Sequence, residues 1–226
     1  MRGFDIKQIR MRSFQISGLT AKWGIGDSRK PSIWDNNLVA WWDTRTFPDG
    51  ALATIPNTAT MADKAPDLTV EGATMKDGTL QFDGVADGAF TDAFMFPDRF
   101  TLFWDIDIMG ASNVWGAGIQ HSVNFIMYLR PTVNQLALFL KEASQGSFIP
   151  SSVVGISTSA QYWVKDGTTA PYLGPVGSFT RSAPLHIGRN AGRTVFTQMG
   201  FRQLLIFNKE LSQAEVNDVL RVMFPA

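Results

Sequence analysis

The 226-residue chain is low in charged residues (18%) and high in aromatics (12%), which excludes a disordered chain and favours one packed, β-rich body. Twenty Lys and Arg balance twenty Asp and Glu, so no global field draws the protein to nucleic acid or to an acidic membrane surface. With no cysteine, disulfides, thiolate metal sites and thiol catalysis are excluded, and no apolar run is long enough to span a membrane.

Residues 1–35 differ from the rest. They carry seven basic residues (Arg2, Lys7, Arg10, Arg12, Lys22, Arg29, Lys30) against three acidic ones (Asp5, Asp27, Asp35). Single apolar residues are dotted through them: Phe4, Ile6, Ile9, Met11, Phe14, Ile16 and Leu19. Two readings stand side by side. One is an extra strand with a loop belonging to the main domain. The other is an arm that docks on a partner through Phe4, Ile6, Ile9, Arg10, Arg12, Phe14 and Ile16. No apolar core of a signal peptide follows the basic start, so synthesis in the cytoplasm without a secretory signal is expected.

From residue 36 the pattern becomes repetitive β structure. Leu38–Trp42 reads as an opening strand, followed by a loop region over Phe47–Pro66 and strands at Leu68–Val70 and Thr79–Phe82. In Phe100–Met109, Leu102, Trp104, Ile106 and Ile108 alternate with Thr101, Phe103, Asp105 and Asp107, which predicts a strand with one wet face. Further strands are expected at Val114–Ile119, Val123–Arg130, Gln135–Lys141, Ser152–Ser157 and Gln161–Lys165. Asp-Gly occurs five times (49–50, 77–78, 83–84, 87–88, 166–167) and is a favoured turn pair. The chain closes with a strand at Pro184–Asn190, a strand at Gly200–Phe207 and an amphipathic helix. Ser212 and Glu215 predict a capping box and Leu211 with Val216 a hydrophobic staple, while Val216, Val219, Leu220 and Met223 form one helical face. Many short strands with turn signals between them predict an all-β, antiparallel two-sheet jelly-roll sandwich with one short C-terminal helix, over residues 36–226.

Five motifs in order carry a family resemblance. Leu38-Val39-Ala40-Trp41-Trp42 is similar to an opening "LvawW", and Leu80–Asp87 (LQFDGVAD) to "l.FDG.dD". Phe100–Trp104 (FTLFW) is similar to "FTlsaW", and Tyr162–Gly167 (YWVKDG) to "lyvdG". The end resembles "hIGr…G.iDevriyNraLs..Ei" through His186-Ile187-Gly188-Arg189, Asn208, Leu211, Ser212 and Glu215-Val216, with Arg202 and Gln203 where an acidic residue is usual. Over about residues 37–224 the chain thus resembles the laminin-G-like, concanavalin A-like lectin–glucanase jelly rolls. That fold hosts lectins, glycosidases, adhesion modules and structural proteins alike.

Glycosidases need two carboxylates across the scissile bond, about 5–10 Å apart. The nearest pattern is Asp105-Ile106-Asp107, which lacks a glutamate; the chain has four glutamates, Glu71, Glu142, Glu210 and Glu215, the last assigned to helix capping. The two histidines, His121 and His186, have no zinc-ligand spacing, and no Gly-x-Ser-x-Gly elbow is present. Gly116-Ala117-Gly118 lacks the strand–helix context of a phosphate loop. Calcium is the one metal the resemblance implies, with Asp83 and Asp87 as its ligands; turn structure explains the same two residues. Sugar binding uses aromatic faces with planar polar groups, for which Trp115, His121, Tyr172, Arg189 and Asn190 are the candidates, each also readable as loop packing.

The expectation is therefore a non-enzymatic binding, adhesion or structural module. The arm and the missing signal place it on a virus particle, as a phage head fibre, capsid decoration or tail-fibre protein. Its expected partners are a capsid or other virion protein, a cell-surface glycan and further copies of itself, a trimer being the common arrangement. A glycoside hydrolase or lyase of the same fold, and a bacterial surface lectin, are the alternatives.

Overall fold

The computed structural model describes residues 33–110, 116–121, 125–130, 135–140, 147–150, 153–158, 161–164, 169–171 and 182–225. The docking-arm residues Phe4 to Ile16, and the candidates Trp115 and Tyr172, lie outside these. A short helix α1 (Ile33–Asn37) leads into strand β1 (Leu38–Asp43). There follow β2 (Gly50–Ala51), β3 (Thr54–Ile55), β4 (Leu68–Glu71), β5 (Thr74–Lys76), β6 (Thr79–Asp83), β7 (Gly88–Phe90), β8 (Phe94–Met95) and β9 (Thr101–Ile108). Next come β10 (Gly116–His121), β11 (Phe125–Arg130), β12 (Gln135–Leu140), β13 (Ser147–Pro150), β14 (Val153–Ser157), β15 (Gln161–Val164) and β16 (Thr169–Pro171). The chain ends with β17 (Ser182–Ala183), β18 (Leu185–Ile187), β19 (Gln198–Phe207) and helix α2 (Gln213–Met223).

These strands form the expected antiparallel sandwich. The first sheet runs β16-β15-β14-β9-β19-β6-β5-β2, the second β13-β12-β11-β10-β18-β7-β4-β3, and β17 pairs with β8 apart from both. β19 spans the first sheet: β9 lies along one edge, while the other edge is shared by β6 (against Gln198–Phe201) and β1 (against Gln203–Phe207). Between the sheets Trp42, Leu68, Leu80, Phe82, Leu102, Trp104, Ile119, Ile187, Phe201, Leu204 and Ile206 form one buried core.

Local chemistry accounts for the turns. Asp77 (φ 51°) and Gly78 (φ 71°) both sit in the left-handed region, the two-residue hairpin turn that joins β5 to β6 in register with Lys76 opposite Thr79. Gly84 (φ 79°) turns after β6, where Asp83 Oδ1 accepts from the amides of Val85, Ala86 and Asp87. At 87–88 the expected turn is absent: Gly88 opens β7 and pairs with Glu71. Helix α2 has the predicted capping box between Ser212 and Glu215, and buries Val216, Val219, Leu220 and Met223.

The outer side of β9 differs from expectation. Thr101, Phe103 and Asp105 are buried, not wet. A second apolar layer covers this side of the first sheet: Phe103 packs on Trp163 (5.8 Å) and Phe207 (6.2 Å), and Trp34 meets Trp41 (4.8 Å) and Phe207 (6.1 Å) edge-on. Trp34 was expected in the arm; it is buried on the sandwich instead. Helix α2 closes the layer. Thr101 Oγ1 donates to the Lys209 carbonyl and accepts from the Leu211 amide, and the Met223 carbonyl accepts from Gln203 and Arg45.

Candidate functional site

Among the described residues, no second layer of aromatic side chains like that on the first sheet lies over the second sheet. Across four of its strands Gln120, His186, Phe90 and Thr69 are successive register partners, so their side chains share one face. Their neighbours Ile119, Ile187, Ala89 and Val70 occupy the opposite face and belong to the core. The row therefore lies on the outer side of the sandwich, with Thr69 exposed, Gln120 and Phe90 half-buried and His186 buried. Glu71, two residues beyond Thr69 on β4, is on the same side.

The loop between β18 and β19 folds over this row. Asn190 builds the loop: its Oδ1 accepts from the amides of Thr194 (2.8 Å) and Val195 (3.1 Å), and its Nδ2 donates to Thr194 Oγ1 (3.0 Å). The Ala191 amide bonds Gln120 Oε1 at 3.1 Å, which ties the loop to β10. The closed loop carries two arginines to one place. Arg189 Nη1 donates to Glu71 Oε2 at 2.5 Å and Arg193 Nη2 to Glu71 Oε1 at 3.4 Å. Both guanidinium groups stand over Phe90, 5.0 and 6.0 Å from its ring centre, and His186 stacks on Phe90 at 6.2 Å.

The electrostatics follow from this packing. The hydrogen bond from Arg189, aided by both positive charges, holds the Glu71 carboxyl below the usual carboxylate range. Burial, then the charges of Arg189 and Arg193, push the His186 imidazole down, which keeps it neutral near pH 7. Two cations thus face one carboxylate beside an aromatic–imidazole surface.

The predicted site residues divide. Arg189 and Asn190 come together here, but not as open contacts: Arg189 is 1% exposed and the Asn190 carboxamide is used within its own loop. His121 is no part of the site. It is 1% exposed, with Nε2 3.2 Å from the Phe94 carbonyl and its ring against Phe94 and Phe96, and burial lowers its pKa. Asp83 and Asp87 are joined to each other through the turn, where Asp83 N donates to Asp87 Oδ2 at 3.0 Å, and the three amides on Asp83, Val85 first, hold its carboxyl below the usual range. Glu71, Phe90, Arg193 and Gly88 are new. Glu71 was visible as one of four glutamates; nothing in its neighbourhood in sequence singles out Phe90.

Asp105 and Asp107 are also accounted for. A β-bulge at Phe201/Gln203 inserts Arg202 as an extra residue beside β9. Its guanidinium reaches Asp107 through Nη1 (2.5 Å) and Nη2 (2.7 Å), and Asp105 through Nε (3.1 Å). The hydrogen bonds to Asp107 and then to Asp105 raise the Arg202 pKa, and both carboxylates are held in one ion-paired cluster.

No protein-family model and no curated protein matches this sequence. Solved structures do share the fold. A Trypanosoma rangeli sialidase in complex with 2,3-difluorosialic acid matches with a TM-score of 0.59 at 15% identity, over 83% of this chain and 33% of its own. The same sialidase in complex with sialic acid matches with a TM-score of 0.54 at 17% identity, over 81% and 32%. A tryptophan-to-alanine mutant of HCR/D, a clostridial toxin receptor-binding domain, matches with a TM-score of 0.62 at 13% identity, over 85% and 52%. The chain spans about a third of the sialidases and about half of HCR/D. These likenesses establish the sandwich fold. They overturn the expectation of a chain that is not an enzyme, because enzymes stand among the proteins that share this architecture.

Proposed function

We propose that this chain is a laminin-G-like, glycan-binding sandwich that works through the outer face of its second sheet. The observation that carries this reading is the half-buried Phe90 ring with Gln120, Glu71 and the exposed Arg193 around it, beside the buried His186 and Arg189: an aromatic group with planar, charged hydrogen-bonding groups at its edge. Such a surface matches a sugar, which stacks its apolar face on a ring and bonds its hydroxyls to planar polar groups. The named proteins that share the fold, a sialidase crystallised with sialic acid and a toxin receptor-binding domain, support it. A glycan array with the wild type, Phe90→Ala and Trp115→Ala tests it. Binding reduced about tenfold or more by Phe90→Ala is expected, the loss of one aromatic stacking contact. Absence of binding to every glycan overturns it.

The likeness to sialidases favours a second reading, glycan cleavage. Release of a fluorophore from a synthetic sialoside by the purified chain would establish that reading. Placement on a virus particle belongs to the first reading and is supported by the basic residues 1–35 with their dispersed apolar anchors. Deleting residues 2–30 is expected to leave a folded sandwich and to abolish incorporation into the particle; retained incorporation overturns the docking role.

A further inference from the structure

We propose that Arg189 anchors an anion site and that its ligand is the carboxylate of an acidic saccharide; this rests on the glycan-binding reading above. Arg189 is buried, yet only Nη1 of its guanidinium has an acceptor, Glu71. Nε and Nη2 are buried with none. These two nitrogens share one edge of the planar group. Their N–H bonds run side by side, the fork that grips both oxygens of a carboxylate. Native proteins leave few buried donors unmatched, and such a group calls for a partner or a role. A whole bidentate edge left open on a buried arginine has the shape of one particular ligand group.

The surroundings are built to hold this arginine in place. Its side chain lies across Gly88, where a Cβ would stand 2.6 Å from Nε, so β7 carries a residue without one. Phe90 supports the guanidinium from below at 5.0 Å. Glu71 fixes the far edge and leaves the Nε/Nη2 edge for something else. Arg193 is the movable neighbour: its side chain is 58% exposed and its contact with Glu71 is long, 3.4 Å. An exposed pair of that kind contributes little, so Arg193 moves at small cost and offers a second cation to the incoming anion. Arg189 and Arg193 against Glu71 leave one positive charge uncompensated in this cluster. An anion neutralises it and fills the fork; a neutral sugar does neither, which sets the selectivity.

The test follows the arginine side-chain Nε–Hε resonances of the ¹⁵N-labelled full chain, with that of Arg189 assigned through its own backbone amide. Three probes are titrated: sialic acid, its methyl ester and sodium acetate. Saturable movement of the Arg189 resonance by sialic acid is expected, with acetate acting on the same resonance more weakly. The methyl ester and the variant Arg189→Lys should each weaken binding by about tenfold or more, the loss of a bidentate charge-assisted pair. Equal response to acid and ester overturns the proposal. No movement with sialic acid, while neutral glycans still bind on the array, overturns it and leaves the glycan reading standing. Movement with acetate alone, and no glycan binding of any kind, overturns the saccharide ligand together with the glycan reading and identifies a free carboxylate as the source. The wild-type resonance decides each of these outcomes whether or not Arg189→Lys folds.

Discussion

Arg202 shows how one inserted residue changes the character of two others. The bulge in β19 sets its guanidinium between Asp105, 6% exposed, and the more open Asp107. Replacing it by methionine keeps the apolar stem but leaves Asp105 buried with its charge unmatched. Removing one partner of such a pair costs about 3 kcal/mol, and Asp105→Asn in the same background is expected to restore much of it. Urea midpoints of the two variants check this; an unchanged midpoint for Arg202→Met would show that Asp105 is hydrated in solution. The histidines give a second prediction. Burial holds the folded-state pKa of His121 and of His186 below the unfolded value. Below about pH 6.5 the unfolded chain therefore binds more protons than the folded one. Stability is full above that pH and is lost as pH falls toward the folded-state values, by at most about 1.4 kcal/mol per pH unit for each histidine. Glu71 and Asp83, whose pKa values are lowered, add losses only below about pH 4.5. Urea midpoints between pH 7 and 5 should decline, and His121→Gln should flatten the decline; a flat wild-type profile counts against the buried, neutral rings.

Among the elements, helix α2 was readable in full and β9 only in half, for physical reasons. A cap, a staple and a 3.6-residue repeat are interactions within a few residues of one another, so the chain states them locally. Ser212→Ala is accordingly expected to cost about 1 kcal/mol, the loss of one cap, and Leu220→Ala roughly 2–5 kcal/mol, the loss of a buried leucine. Thermal or urea melts that rank the two in the reverse order would mean that the helix is held by its cap and not by its packed face. The alternation in β9 was correctly read as a strand with two unlike faces. That the second face is dry depends on Trp34, Phe207 and helix α2, brought over it from both ends of the chain. The candidate site was hidden for the same reason. Arg189 and Asn190 stand out as candidates in the sequence because they end a recognisable strand. Glu71, Phe90 and Arg193 come from β4, β7 and a loop more than 100 residues later, and only the register of the second sheet unites them. Gly88 was taken for half of a turn pair. Its lack of a side chain serves Arg189 instead, and Gly88→Ala is expected to displace that guanidinium and abolish whatever binding Arg189 supports.

On the scale of the molecule, the two outer faces of the sandwich have opposite fates. The first sheet is covered: Trp41, Phe103, Leu205 and Phe207 would be surface residues in a bare sandwich and are buried here. The second sheet keeps Thr69 exposed and Phe90 and Glu71 half-buried, with charged groups at hand. This asymmetry yields a prediction that separates stability from binding. Removing residues 209–226 leaves every described strand in place but uncovers the apolar layer and deprives Gln203 and Arg45 of the Met223 carbonyl. A contiguous apolar face of this kind promotes self-association. The truncated chain should keep a β-type circular dichroism spectrum, bind a hydrophobic dye and run as higher oligomers on size exclusion. It should nevertheless retain any glycan binding, because the Phe90–Arg189 row lies on the other sheet. A truncated chain that is monomeric and silent to the dye would show that helix α2 is not the cover. One that self-associates and also loses binding would show that the two faces are coupled through the shared core, in which Phe82 and Leu204 of the first sheet are packed with Ile187 and Ile119 of the second.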